Sequence, residues 1–361
     1  MKIIPTIIVC AVSALFSFEP HFMKDPAVSP DGSTICFSYA NDLWSVPFSG
    51  GTAKRLTSVK GDDSNPDYSP DGRYIAFNSD RDGSYAVYII PANGGVAKRV
   101  VTGDYSVVDW FADSENLLLT KHVQFTGSKM FKINIKGYGL TDLNKIGYLY
   151  ADLSKENDKM VFAQNGEPYR ERMTGSQNGR LFICDLKNNT YSKIADSPLT
   201  ERYPVYSKTG KGIYFARSDG ELFQIYLLPG SEIGKEDPKL DKITNFDKWS
   251  ARDISIAYDN DRMAYEYFDG IWTTDPSTGA SGKLNIEISE DHLGTDEVDD
   301  NISSADKFFP SAKGNWVLFK SRFDLFAVPV EGGEVKRITG DNPGIEDFVV
   351  MKDNETVYFT A

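Results

Sequence analysis

Only three histidines and three cysteines occur in 361 residues, so the side chains that most often bind metals or activate nucleophiles are scarce. His21, His122 and His292 lie in separate segments, and the chain holds no G-x-S-x-G elbow, no H-E-x-x-H pair and no Walker loop. A hydrolytic triad within this chain is therefore not expected, and no catalytic residue is assigned. Positive charge is also short. There are 39 lysines and arginines against 52 aspartates and glutamates, a formal net charge of −13. A global field that gathers phosphate backbones or anionic headgroups is thus excluded, and nucleic acid is not an expected partner. After the N-terminus no apolar run is long enough to span a bilayer. What the chain does have is 40% hydrophobic and 13% aromatic residues, ample for a packed core.

The first residues differ from the rest. Lys2 precedes an apolar run over 3–16 broken only by Pro5, Thr6 and Ser13, after which the chain turns polar. Residues 1–18 are expected to be a secretory signal peptide cleaved after Ala14 or Ser17, which implies export, to the periplasm. The alternatives are an uncleaved anchor, or a cytoplasmic protein if this leader is not a signal. Cys10 follows Val9 and comes too early for a lipid-acylation site. Cys36 and Cys184 remain, each inside an apolar strand pattern in a different repeat, and are expected to be buried thiols without a disulfide.

The informative feature is a repeated phrase. Residues 65–103 read NPDYSPDGRYIAFNSDRDGSYAVYIIPANGGVAKRVVTG: four short alternating runs separated by Pro-Asp-Gly, Asp-Gly and Asn-Gly-Gly turns. A lone four-stranded sheet of this pattern leaves two apolar faces in water, so it requires neighbours of the same shape. Copies occur at 26–57, 107–144, 148–196, 203–244 and 254–288, and Asp31 and Asp71 stand 40 residues apart, a propeller-blade period. The expected fold is all-β: a six-bladed β-propeller of four-stranded antiparallel blades over 22–289. An acidic linker follows at 290–304, and 305–361 reads as the first one and a half blades of a second propeller, with the chain truncated there. The first unit opens at its innermost strand and the sixth ends at its outermost, so ring closure is expected from side-chain packing alone.

Asp31, Asp71, Asp82, Asp219 and Asp269 recur at turns, which points to architecture and not to a unique site. The run 78–83 (NSDRDG) mimics the start of a calcium loop, but Ile89 stands where a bidentate glutamate is required. The acidic run 296–300 reads as a solvated linker. No metal and no cofactor are expected. Trp44, Trp110, Trp272 and Trp316 sit at strand positions suited to packing between sheets. The insertion 164–179 in the fourth repeat carries Tyr169, Arg170, Glu171 and Arg172. Its aromatic and guanidinium groups suit peptide backbone and carboxylate ends, with Tyr169, Arg170 and Arg172 as the peptide-binding candidates; a merely variable surface loop is the alternative.

Ser-Pro-Asp-Gly turns followed by a Gly-Gly turn and Lys-Arg-aliphatic-Thr resemble the TolB-like or PD40 class of blade. The phrase FMKDPAVSPDGSTICFSYANDLWSVPFSGGTAKRLT, the six-plus-one layout and the acidic linker are similar to the N-terminal part of tricorn protease and its bacterial homologues. That resemblance spans 22–361. It implies a six-bladed propeller, a seven-bladed one, a PDZ-like domain and mixed α/β domains with a serine peptidase site, assembled as hexamers. The family's catalytic residues fall in a C-terminal portion absent from this sequence. The expected function is a non-catalytic propeller of an exported tricorn-like serine peptidase that gates or channels peptides. The alternatives are a stand-alone TolB-like periplasmic propeller for protein–protein interaction, and the cap of a prolyl-oligopeptidase-type hydrolase.

Overall fold

Each Ser-Pro-Asp-Gly phrase folds into the same self-contained turn, and this is why the blades repeat. Ser29 Oγ donates to Asp31 Oδ1 at 2.6 Å, Ser33 N donates to the same oxygen at 3.0 Å, and Gly32 N closes on Ser29 O at 2.8 Å. Ser69, Asp71 and Gly72 repeat the arrangement, with Ser69 Oγ 2.8 Å from Asp71 Oδ1. These hydrogen bonds hold both carboxyl groups below the usual range: for Asp31 the Ser29 hydroxyl contributes most, whereas for Asp71 burial pulls the other way and is outweighed.

The computed structural model describes residues 20–360 apart from 124–126, 148–149, 165–177, 195–197, 219–221, 277, 290–304, 306, 312, 322–323, 334, 340–346 and 352–356. Six four-stranded antiparallel sheets follow in chain order. Their innermost strands are Lys24–Val28, Asp63–Tyr68, Tyr105–Trp110, Ala151–Leu153, Glu201–Tyr206 and Ala251–Ile256. These sheets are blades 1 to 6. A seventh sheet begins at Lys307–Pro310 and ends at Lys336–Arg337, and a hairpin of Asp347–Met351 with Val357–Thr360 follows it.

Apolar clusters fill every junction between successive blades, and the last of them makes the ring. Ile35, Phe37 and Trp44 of blade 1 pack against Ala257, Ala264 and Ile271 of blade 6. The other junctions are equally apolar; between blades 5 and 6, for example, Tyr214 and Ile225 meet Met263 and Tyr265. Trp44 and Trp110 are buried in these clusters, while Trp272 and Trp316 are half-buried beside theirs. Cys36 and Cys184 are buried free thiols in the blade 1–2 and blade 3–4 junctions. Turn ends add polar ties, such as Asn260 Nδ2 of blade 6 to Asp31 O at 2.8 Å.

Closure departs from the expectation of packing alone. The last strand of blade 6 ends at Lys283, and the chain then crosses to blade 1, where Ile286–Glu287 pairs in parallel with Gly51–Thr52. Gly51 N donates to Asn285 O and Ala53 N to Glu287 O, both at 2.8 Å. The physical reason lies in the glycine pair. Gly50 has φ +83°, and a Cβ there would stand 2.5 Å from Asn285 O, so only glycine admits the returning strand. Ile286 and Ile288 then enter the blade 6–1 cluster.

Candidate functional site: the axial channel

The six innermost strands surround an axial channel, a cavity of about 140 Å³ lined from every blade. These strands do not run straight. Ladder register shifts occur between Lys24 and Ala27, Ser64 and Asp67, Arg202 and Val205, and Arg252 and Ser255. At each bulge a non-glycine residue takes a left-handed backbone: Asp25 (φ 50°), Asn65 (φ 53°), Tyr203 (φ 50°) and Asp253 (φ 44°). Such residues cost about 1–2 kcal/mol each outside glycine, and bulges re-aim side chains. Here all four residues line the channel.

At this end three carboxylates converge: oxygens of Asp25, Asp253 and Glu266 lie within 4.8 Å of one another. Asp25 N donates to Glu266 Oε1 at 3.0 Å, and Asn65 N donates to Asp25 Oδ2 at 3.1 Å. Burial drives the Asp253 carboxyl well above the usual range, and the charges of Glu266 and Asp25 push in the same direction. Three hard oxygens are a donor set suited to Ca²⁺ or Mg²⁺, although two of the three carboxylates already accept backbone N–H groups.

One step further along the strands lies a tier of aspartates from three consecutive blades: Asp67, Asp109 and Asp152. Asp109 Oδ2 accepts Leu153 N of the next blade at 2.7 Å, and Asp152 Oδ2 accepts Tyr206 N of the next at 2.8 Å. Ser255 of blade 6 makes the equivalent tie to Val28 N of blade 1 at 3.0 Å. Lys208 of blade 5 reaches into the tier, with Nζ 2.8 Å from Asp152 Oδ2 and 3.8 Å from Asp109 Oδ2. It also donates to Leu153 O. Burial pushes the Asp109 carboxyl up to about 7, against the lowering effect of Lys208. Burial alone lowers the Lys208 ammonium, but Asp152 and Asp109 outweigh it and raise it. The wall is thus acidic, apolar between its carboxylates, and rich in acceptors for N–H and ammonium groups.

Among the described residues the channel lining contains no histidine and no cysteine. Ser154 Oγ donates to Asp158 Oδ1 at 2.8 Å, and Ser255 Oγ accepts the backbone of blade 1.

With this geometry in view, comparison with known proteins is decisive at the family level. A family model described as the tricorn protease N-terminal beta propeller domain matches residues 20–280. The chain belongs to this family. Tricorn protease homolog 1 of Streptomyces coelicolor is 26% identical over 280 residues, covering 74% of this chain and 25% of its own length. The tricorn protease homolog of Saccharolobus solfataricus is 24% identical over 347 residues, covering 91% of this chain and 31% of its own. The chain therefore spans between a quarter and a third of the length of these relatives. A crystal structure of the tricorn protease superposes with TM-score 0.60 over 94% of this chain and 33% of that one, at 21% identity, a likeness of fold.

Within this tricorn-type propeller, the residues singled out by sequence are scattered. Tyr169, Arg170 and Arg172 lie outside the described residues, as do Asp219, His292, the leader 1–18 and the linker 290–304. Asp31 and Asp71 sit in their turns, at the opposite end of the innermost strands from Asp25. Asp82 accepts the Tyr88 hydroxyl at 2.6 Å and Arg99 at 3.0 Å on the outer part of blade 2. Asp269 is buried and faces His21 Nδ1 at 2.6 Å. The channel carboxylates carry only a weak signal in the sequence. Asp67, Asp109 and Asp152 each stand four residues before a turn acid, Asp71, Asp113 and Glu156 respectively.

Proposed function

We propose that this propeller is the non-catalytic wall of a peptide channel in an exported, tricorn-like serine peptidase. It guides or gates peptides on their way to or from a protease domain elsewhere in the parent protein. The observation that carries this reading is the axial channel itself, lined from all six blades by acceptors and apolar side chains and without histidine or cysteine among its described lining residues. Peptides present N–H donors and an ammonium terminus, which such a wall can meet. Family membership supports the link to a peptidase, since relatives several times longer than the matched segment carry the name tricorn protease. In this reading the PDZ-like and protease domains of the parent, and further copies of it in a hexamer, are the partners. The apolar run after Lys2 supports export to the periplasm.

The test uses the full-length parent. Ala112 lines the channel mouth and is exposed, so Ala112→Trp narrows the opening without disturbing a core. Hydrolysis of oligopeptides is expected to slow several-fold at unchanged assembly size; an unchanged rate removes the channel role. Peptidase activity from the present chain alone contradicts the non-catalytic assignment. Recovery from the periplasm with a mature N-terminus after Ala14 or Ser17 checks the export reading.

A further inference from the structure

We propose that the Asp67 carboxylate is a docking point for a primary ammonium group in the axial channel, carried by a peptide amino terminus or a lysine side chain. This rests on the channel reading above and names the chemistry that the channel selects.

Asp67, Asp109 and Asp152 occupy one position in three successive blades, and the side chain there normally ties to a backbone N–H of the following blade. In blade 2 that tie is missing. The amide that should complete it, Trp110 N, donates to its neighbour Asp109 Oδ1 at 2.7 Å. Asp67 Oδ2 is left buried and without a hydrogen-bond partner. A buried carboxylate oxygen with no donor is costly, and a donor from water, an ion or a ligand completes it. The Asp67 backbone, in contrast, is held: Trp110 Nε1 donates to Asp67 O at 3.1 Å, so the side chain stays on the channel wall instead of turning away.

The same tier shows which group completes such a carboxylate. Lys208 Nζ serves Asp152 at 2.8 Å and lies 3.8 Å from Asp109. One ammonium therefore answers two of three aspartates, and the third lacks its counterpart. An incoming ammonium carries three donors, enough for Asp67 and a second acceptor in the wall. A carboxylate ligand end brings no donor to the open Asp67 oxygen, so the tier orients a peptide by its cationic nitrogen. Burial, reinforced by Asp109 and Asp152, raises Asp67 well above the usual carboxyl range, with Lys208 opposing.

Isothermal titration of the full chain tests this with alanine tripeptide amide, its N-acetylated form, and N-acetyl-lysine amide. The free tripeptide or the lysine amide is expected to bind at least tenfold tighter than the acetylated tripeptide. Which of the two binds identifies the source of the ammonium. Asp67→Asn preserves shape and should lower that affinity at least tenfold while leaving the acetylated tripeptide unaffected. Equal binding of free and acetylated peptides, or an unchanged affinity in Asp67→Asn, overturns the ammonium site and leaves the channel reading standing. Absence of binding by all three probes also overturns it. The channel role itself falls only if Ala112→Trp leaves peptide hydrolysis by the parent unchanged.

Discussion

His21 Nδ1 lies 2.6 Å from Asp269 Oδ2, joining the segment that leads into blade 1 to the tight turn of blade 6. Phe22 N donates to Asp269 O at 2.7 Å, so one residue of blade 6 holds two consecutive residues of the leading segment. The Asp269 side chain is 4% exposed, and Lys283 Nζ stands 3.9 Å from its other oxygen. A charge-assisted bond to so buried a carboxylate contributes more than a surface pair. Asp269→Ala is expected to cost about 1–3 kcal/mol in urea unfolding. His21→Ala should cost less, because Lys283 remains. A double-mutant cycle with a coupling below a few tenths of a kcal/mol contradicts the assignment.

The crossing strand at Ile286–Glu287 gives a second prediction. Gly50→Ala places a Cβ against Asn285 O in a left-handed backbone, which should cost about 1–2 kcal/mol and release the parallel pair. Hydrogen exchange reads this directly. The amides of Gly51 and Ala53 should lose protection while those of the second strand of blade 1, Thr34–Tyr39, keep theirs. Unchanged protection at Gly51 and Ala53 means that the pair does not depend on the glycine.

The third concerns pH. Burial raises the Asp109 carboxyl from 3.8 to about 7. A carboxyl raised in the folded state is favoured there while protonated, so its contribution is complete below about pH 4, the unfolded value, and is lost as pH rises through about 7. The chain should lose stability over that window. Asp109→Asn, which cannot ionise, should flatten the profile between pH 4 and 7 in thermal melts at fixed ionic strength. A slope equal to that of the unmodified chain places the titration elsewhere.

Much of the fold is legible in the residues because blade chemistry is local. Ser29, Asp31 and Gly32 complete their turn within five residues, and the same atoms do so at Ser69, Asp71 and Gly72. Alternating apolar strands between such turns leave few other solutions than stacked blades. The channel has no such local signature. Asp67, Asp109 and Asp152 look like ordinary strand residues until the ring brings consecutive blades together. Lys208, more than 50 residues from Asp152, has no local reason to be buried. Asp269 resembles the other turn aspartates in sequence, and only the return of blade 6 to the start of blade 1 gives it His21.

Contacts between residues close along the chain fix the blades: their number, their turns and the apolar faces that demand neighbours. Tertiary structure alone decided how the ring closes and what lines its axis. The pairing of Ile286 with Gly51, the left-handed bulges at Asp25 and Asp253, and the unpartnered Asp67 oxygen all arise between segments that meet only when the ring forms. Each of these contacts joins residues far apart along the chain or depends on a neighbouring blade, so it is set only once the blades are in place.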